Sequence, residues 1–520
     1  MSKPIRIHPA NSRIFEFRGK PLVLVCATEH YDAVMNRPFD YARYLADAHE
    51  KRQTLTRLFM LFREQQSHCN PYSTCKPESP DYVAPYLRVG PGKALDWQPQ
   101  YDLDCDNPEF YERLHGFLSL ASDYGIIVEV VLLSNTYGDN VWMLNPLNAA
   151  NNMNEIEPIP WMEYNTLRHQ KLFERQLAHV RRIVMETNRY DNIIYEICNE
   201  PGGNFAGNAH HPSKEEVDDW QKAIARTIRE VEADLPNKHL IVGQEAFIYE
   251  PWEQCSDLSF GEFCIDVVNM HPLPNTTYGG RGYNMGEFMS KQLRLRELRD
   301  YCLATKDEHK PLNLDEDNVA SQYKDYDGWT IHRKRAWMTL ISGCHYDYID
   351  FSINIYLETG TPASQKHIRT WMKHLSEFVH SIDLAAARPL TDVVKEEPIN
   401  TVTSALGIPG SDYCIYIADE RELTEDGSGE WIAASRLCVD LPEGEYLVRC
   451  FDPVSGLYAP ALCMRGGAEM WINLPDFRHD LTVRISNISK LIGRREGGSY
   501  NGNGYAKCRH GMGVSIEPQL

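Results

Sequence analysis

Positive charge is in short supply in this chain. Against 73 Asp and Glu there are 53 Lys and Arg in 520 residues, a formal net charge of -20, and no basic patch stands apart from the rest. A nucleic-acid backbone or an anionic membrane surface is therefore not an expected partner, and a neutral substrate is. Long hydrophobic runs are also missing. The longest, Ile126 to Leu133, is interrupted by Glu129 and falls far short of the roughly 18 residues that a membrane helix needs. The start, Met1-Ser2-Lys3-Pro4-Ile5-Arg6, lacks the basic region, apolar stretch and small-residue cleavage site of a secretory signal, so a cytoplasmic location is expected. No Cys-x-x-Cys pair occurs among the 14 cysteines, and Cys26, Cys198, Cys264 and Cys344 sit inside apolar segments, which points to reduced, buried thiols. Beyond the first strand candidate, Cys26-Ala27-Thr28-Glu29-His30 has no glycine, so the phosphate-binding turn of a doubly wound nucleotide fold is lacking. No cofactor is implied. A metal site from His30, His68 and His271 has no ligand spacing to support it.

What is present is ordinary globular composition, 42% apolar and 24% charged, in a chain too long for one core. Residues 5 to 27 read as a hairpin turning at Arg18-Gly19-Lys20 into the apolar run Pro21 to Cys26. Further strand candidates are Leu55 to Phe62, Ile126 to Leu133, Ile193 to Cys198, His239 to Gly243, Ile265 to Met270, Pro311 to Asp315 and Tyr346 to Ser352. Several are apolar throughout, as strands covered on both faces are. Helical periodicity lies between them, over Phe39 to Lys51, Phe110 to Tyr124, Leu167 to Thr187, Lys214 to Ala233, Gly286 to Thr305, Trp329 to Ser342 and Ser364 to Ser381. Only the fifth strand lacks a clear helix after it. Ser213 and Glu216 have the capping-box spacing.

Eight strand and helix units imply parallel strands with right-handed crossovers, hence a (β/α)8 TIM barrel over residues 1–385. Long inserts, Arg63 to Asp106 and Ser134 to Trp161, follow the second and third strands and are expected to wall a cleft. From 386 to 487 short alternating strands (Tyr413 to Ile417, Tyr446 to Phe451, Leu481 to Ile485) separated by turn clusters predict a small antiparallel β-sandwich. Residues 488–520 form a Gly- and Asn-rich tail. Assembly into a homo-oligomer is left open.

The sharpest motif is Ile193-Ile194-Tyr195-Glu196-Ile197-Cys198-Asn199-Glu200-Pro201. A carboxylate at the edge of an apolar strand needs partners or a task, and Pro201 ends the strand there. Farther on, Lys310-Pro311-Leu312-Asn313-Leu314-Asp315-Glu316-Asp317-Asn318 places Glu316 where the seventh strand opens into its loop. On sequence alone Glu200 could instead cap a helix, and residues 315–317 could be a solvated acidic loop.

With both motifs in order, residues 15 to 380 resemble the clan A glycoside hydrolases, the four-seven superfamily, including its cellulase-like and apiosidase-like members. That resemblance implies an acid/base Glu after strand 4 and a nucleophilic Glu after strand 7, here Glu200 and Glu316. It implies retaining hydrolysis of a neutral, β-linked glycoside or short oligosaccharide, by two carboxyls about 5 to 5.5 Å apart, whereas inversion needs about 6.5 to 9.5 Å. Burial would raise the pKa of Glu200 and split the two roles. The resemblance further assigns Arg57 to hold the nucleophile, Asn199 to the sugar hydroxyl beside the anomeric carbon, and His271 to strand 6. Two residues after His271, where the family has Tyr, this chain has Leu273, so the missing hydroxyl is sought in Tyr278 or Tyr283. The family Trp of strand 8 is also absent, with Tyr348, Asp350 and Phe351 in that region, and stacking is sought in Trp142, Trp161 or Tyr137. Glu29, His30 and Asn135 follow strands 1 and 3 and are further candidates for the cleft. Residues 443–456 resemble the sandwich appended to apiosidase-like barrels. The rival readings are a barrel that binds carbohydrate without cleaving it, and a metal-dependent barrel hydrolase.

Overall fold

The computed structural model describes residues 3–25, 33–37, 39–61, 81–202, 210–246, 248–249, 252–261, 263–287, 290–317, 320, 323–349 and 362–491. Its centre is a parallel sheet of Leu55–Phe59, Ile127–Ser134, Ile193–Asn199, Ile241–Gly243, Val267–Met270, Leu312–Asp317 and His345–Tyr348, paired in that order. Residues 23–25 join its two edges. The Tyr346 N–H donates to Leu24 O at 3.2 Å and the Thr54 N–H to Val25 O at 3.0 Å, which closes the sheet into a barrel. Counted in chain order from residues 23–25, these are staves 1 to 8. The helices Tyr41–Glu50, Pro108–Tyr124, Gln170–Thr187, Lys214–Ala233, Asp257–Phe260, Leu295–Ala304, Tyr326–Ile341 and Pro362–Val379 follow them in turn.

Staves 3 and 4 are buried along their whole length, because helices cover one face and the barrel interior the other. The interior changes character with height. At the foot, Leu24, Leu55, Ile127, Ile194, Val242 and Val267 pack with Ile5, Phe15 and Phe17 of the N-terminal hairpin, which plugs that end. One register step up, the paired residues Arg57 and Glu129 begin a buried polar layer, to which Glu196, Asn269 and Asp315 belong. The site stands above it, where the staves end.

Several elements differ from expectation. The insert after stave 2 contains a hairpin, Tyr86–Lys93 with Pro99–Asp106, that its Pro and Gly content concealed. The helix expected from Gly286 begins only at Leu295, because Glu422 from the C-terminal part accepts from the Leu293 and Arg294 N–H groups at 2.6 and 2.9 Å and so starts the helix there. Residues 276–283 are a second hairpin. After stave 5 the chain makes one short helix, Asp257–Phe260. Ser213 and Glu216 do form a capping box at the head of Lys214–Ala233.

Residues beyond 388 form two antiparallel sheets facing each other. The larger holds Thr401–Ile408, Asp412–Asp419, Asp480–Asn487 and Gly444–Asp452; the smaller holds Val394–Glu396, Arg436–Val439 and Met470–Asn473. Ile415, Ile417, Val448, Val483 and Ile485 of the first pack with Leu437, Val439 and Ile472 of the second. The alternate residues Cys414, Tyr416 and Ala418 face the barrel and join its core. There Tyr326–Ile341 lies buried on all sides, with Trp337 stacked on Tyr416 and Arg333 paired with Asp480 at 2.8 Å. Among the described residues nine cysteines are free thiols, whereas Cys463 is disulfide-bonded, contrary to the expectation of thiols only. No helix among the described residues is long and apolar enough to cross a membrane.

Candidate active site

Glu200 directly follows stave 4 and Glu316 is the last residue but one of stave 7, and both have left-handed backbones, φ 48° and 47°. This conformation is costly for a residue with a Cβ and is held only where the surroundings impose it. It turns both carboxyls out of the strand alternation and toward His271, which follows stave 6. The His271 Nδ1 donates to Glu200 Oε1 at 2.9 Å and lies 3.8 Å from Glu316 Oε2. One oxygen of each carboxyl and one imidazole nitrogen all fall within 4.8 Å of one another. The Glu200 side chain is 17% exposed and the Glu316 side chain 4%, so the first faces the opening and the second is sunk.

Arg57 rises from stave 2 and is fully buried. Its Nη1 donates to Glu316 Oε1 at 2.6 Å, and its Nη2 to Asn199 Oδ1 at 3.0 Å and to Glu196 Oε2 at 2.6 Å. Asn199 in turn donates through Nδ2 to the Tyr137 hydroxyl at 2.8 Å. The Asn135 N–H donates to Asn199 O at 3.0 Å, and the Asn135 Oδ1 accepts from the Thr136 N–H at 2.7 Å. This leaves the buried Asn135 Nδ2 without a partner among the described residues.

Electrostatics follow from burial. Desolvation pushes Glu316 above the ordinary carboxyl range, with His271 and Arg57 limiting the rise. Burial alone would neutralise His271, yet Glu316 and the Glu200 hydrogen bond outweigh it and raise the imidazolium to about 9. His271 is therefore a cation at neutral pH. Sequence reasoning expected burial to act on Glu200; Glu316 is the more deeply buried of the two.

Glu200, Glu316, Arg57, Asn199 and His271 thus come together, with Asn135 and Tyr137 beside them. Tyr278, Tyr283 and Trp142 do not join them. Tyr283 packs on Tyr301, with ring centroids 5.4 Å apart, under the Arg281 guanidinium, and Tyr278 donates to Glu308, so neither supplies the hydroxyl that Leu273 cannot. Trp142 is 6% exposed and packs on Tyr164, which makes it part of the core of its insert. Trp161 contributes its carbonyl to the Thr136 hydroxyl. Glu29, His30, His68, Asp350 and Phe351 lie outside the described residues. Sequence reasoning missed Glu196, Asn269 and Asp315 as parts of the site's support. The signal was there in part, since Glu129 and Glu196 interrupt runs that are otherwise apolar.

A family model described as Cellulase (glycosyl hydrolase family 5) matches residues 89–377. Among solved structures, the chain is similar to a glycoside hydrolase family 5 protein from Bacteroides vulgatus ATCC 8482, at 12% identity over 94% of this chain and 93% of that one, with a TM-score of 0.60. It is also similar to a structure described as a glycoside hydrolase, at 12% identity over 94% of this chain and 98% of that one, with a TM-score of 0.58. No curated protein matches the sequence. At such identities the structures show the fold, a barrel followed by an antiparallel strand-rich region, and the family model covers more than half of the chain. The protein is a glycosidase and belongs to glycosyl hydrolase family 5, the cellulase family, of clan A.

Proposed function

We propose that the enzyme hydrolyses a neutral β-linked glycoside or short oligosaccharide with retention, Glu200 serving as acid/base and Glu316 as nucleophile. The observation that carries this reading is the approach of the two carboxyls, with oxygens within 4.8 Å of each other. Oxygens that approach this closely support a separation on the scale of the about 5 to 5.5 Å used for covalent catalysis rather than the about 6.5 to 9.5 Å of inversion.

Glu316, ionised and held by Arg57, attacks the anomeric carbon as the glycosidic bond breaks, and Glu200 gives its proton to the departing oxygen. Water then adds from the vacated side. Glu200 takes its proton, and the ester bond to Glu316 breaks. His271, cationic between the two carboxyls, stabilises the negative charge that each carries in turn. Asn199, whose amide joins Arg57 to the Tyr137 hydroxyl, and Asn135 Nδ2, without a partner among the described residues, are the groups assigned to sugar hydroxyls. A neutral substrate suits a pocket where carboxyls already outnumber cations.

A 2-fluoro glycoside with a good leaving group tests the assignment, because fluorine slows the second step more than the activated first one. Mass spectrometry should place the adduct on Glu316 in the peptide containing Asp315, Glu316 and Asp317. A label on Asp315, or an inverted product from the wild-type enzyme, would sink the reading.

A further inference from the structure

We propose that Glu196 is a positioning residue for the nucleophile: it orients the Arg57 guanidinium, takes up part of its charge, and so sets how readily Glu316 ionises. This rests on Glu316 being the nucleophile. Glu196 lies on stave 4, four residues before Glu200, and is 1% exposed. A guanidinium is a rigid plane with N–H groups in a fixed fork. Glu196 Oε2 accepts from two of its nitrogens, Nε at 3.1 Å and Nη2 at 2.6 Å. With that edge fixed, the remaining nitrogen, Nη1, is aimed at Glu316 Oε1, 2.6 Å away. One carboxylate therefore decides the direction from which the other is met.

The same contacts divide the charge. Arg57 Nε is also 3.3 Å from Asp315 Oδ2, so a single guanidinium serves carboxyls on staves 4 and 7 at once. The other groups facing this region are Glu129 on stave 3, linked through Asn269 to Asp315, Glu200 after stave 4, and His271 after stave 6. Stave 8 adds Asp347, on the same face as His345, and stave 5 adds no charged group among the described residues. A buried cation shared between carboxylates favours the ionised form of each less than it would favour one alone. Glu196 is itself pushed up to about 6, chiefly by burial and against the pull of Arg57. An apolar side chain at 196 would be easier to bury, so a carboxyl there calls for a task.

The test separates orientation from charge. Glu196→Gln keeps an oxygen for Nε and Nη2 but removes the negative charge, so the acid limb of kcat/KM should move to lower pH by about one unit. Glu196→Asp keeps the charge but withdraws the carboxylate by one methylene, so kcat should fall on the order of a hundredfold with KM little changed. The same limb is to be read from the rate at which the 2-fluoro glycoside modifies each variant. A label on a residue other than Glu316 overturns the nucleophile assignment. A label on Glu316, with an unmoved acid limb in folded Glu196→Gln, overturns the role of Glu196 alone, since a merely structural residue would change stability and leave the limb in place. If neither variant folds, the wild-type enzyme decides. Its acid limb should lie above the ordinary carboxyl value, and a limb at or below that value overturns the proposal.

Discussion

Glu200, just past stave 4, and Glu316, one residue before the end of stave 7, have nearly the same left-handed backbone, φ 48° and 47°. In each case a residue whose carboxyl is proposed to carry the reaction has the conformation that suits a side chain least. Glu200→Gly and Glu316→Gly should therefore unfold at higher denaturant than the matching Ala variants, by about 1 kcal/mol, although none of the four turns over substrate. Chemical denaturation of the Gly and Ala pairs checks this. Equal stability within both pairs would mean that the backbone there is unstrained.

Glu200→Gln should nearly abolish hydrolysis of glycosides with poor leaving groups and spare those with acidic ones, which depart without a proton. Rates across a series of aryl glycosides give the comparison. Loss to the same degree throughout would take Glu200 out of the acid role.

Activity should survive chelators. Glu200, His271 and Glu316 converge closely enough to hold a metal ion, but Arg57 lies 2.6 Å from Glu316, and His271, raised to about 9, carries a proton at neutral pH. Positive charge thus already occupies the place a metal would take. Turnover after exhaustive chelation, with and without added divalent ions, decides between this and metal-dependent hydrolysis.

Acid should destabilise the fold below pH 6.5. His345 Nδ1 accepts from the Leu24 N–H at 2.9 Å and His332 Nε2 from the Ala320 N–H at 2.9 Å, so each ring must stay neutral in the folded protein. Burial lowers both to about 3. The unfolded chain binds these two protons near pH 6.5 and the folded chain does not, so their contribution is present above 6.5 and is lost as pH falls toward 3, at about 1.4 kcal/mol per unit for each. His271 acts in the opposite direction, with a contribution that fades as pH rises through about 9. Denaturation midpoints from pH 4 to 10 test both flanks, and a flat profile from 6.5 down to 4 would contradict the neutral rings.

Asp480→Ala should cost about 3 to 5 kcal/mol, because it leaves the fully buried Arg333 without its counter-charge. Adding Arg333→Met should restore part of the loss. Urea unfolding of the two single variants and the double variant reads the coupling, and strict additivity would rule it out.

Much of the barrel was legible because a strand covered on both faces must be apolar, and a carboxylate ending such a strand must have a reason. Ile193 to Pro201 shows both, and Glu316 follows from counting staves. The polar layer was legible only in part. Glu129 breaks an apolar run, but its partner Asn269 comes 140 residues later, and no local pattern joins them. The late start of Leu295–Ala304 depends on Glu422, far along the chain. Arg333, Lys334 and Arg335 look like a solvated stretch in sequence, and the C-terminal sheet and neighbouring loops bury all three. Positive φ at the two glutamates leaves no trace in composition at all.

Phe15 and Phe17 stop the barrel at its foot, so traffic through the site is one-way in geometry. Both halves of the cleaved glycoside, and whatever releases the second half, must use the same opening. Under the proposed double displacement the leaving alcohol has to clear it before water arrives, and a crowded sugar solution would place another alcohol in that queue, turning hydrolysis into glycosyl transfer.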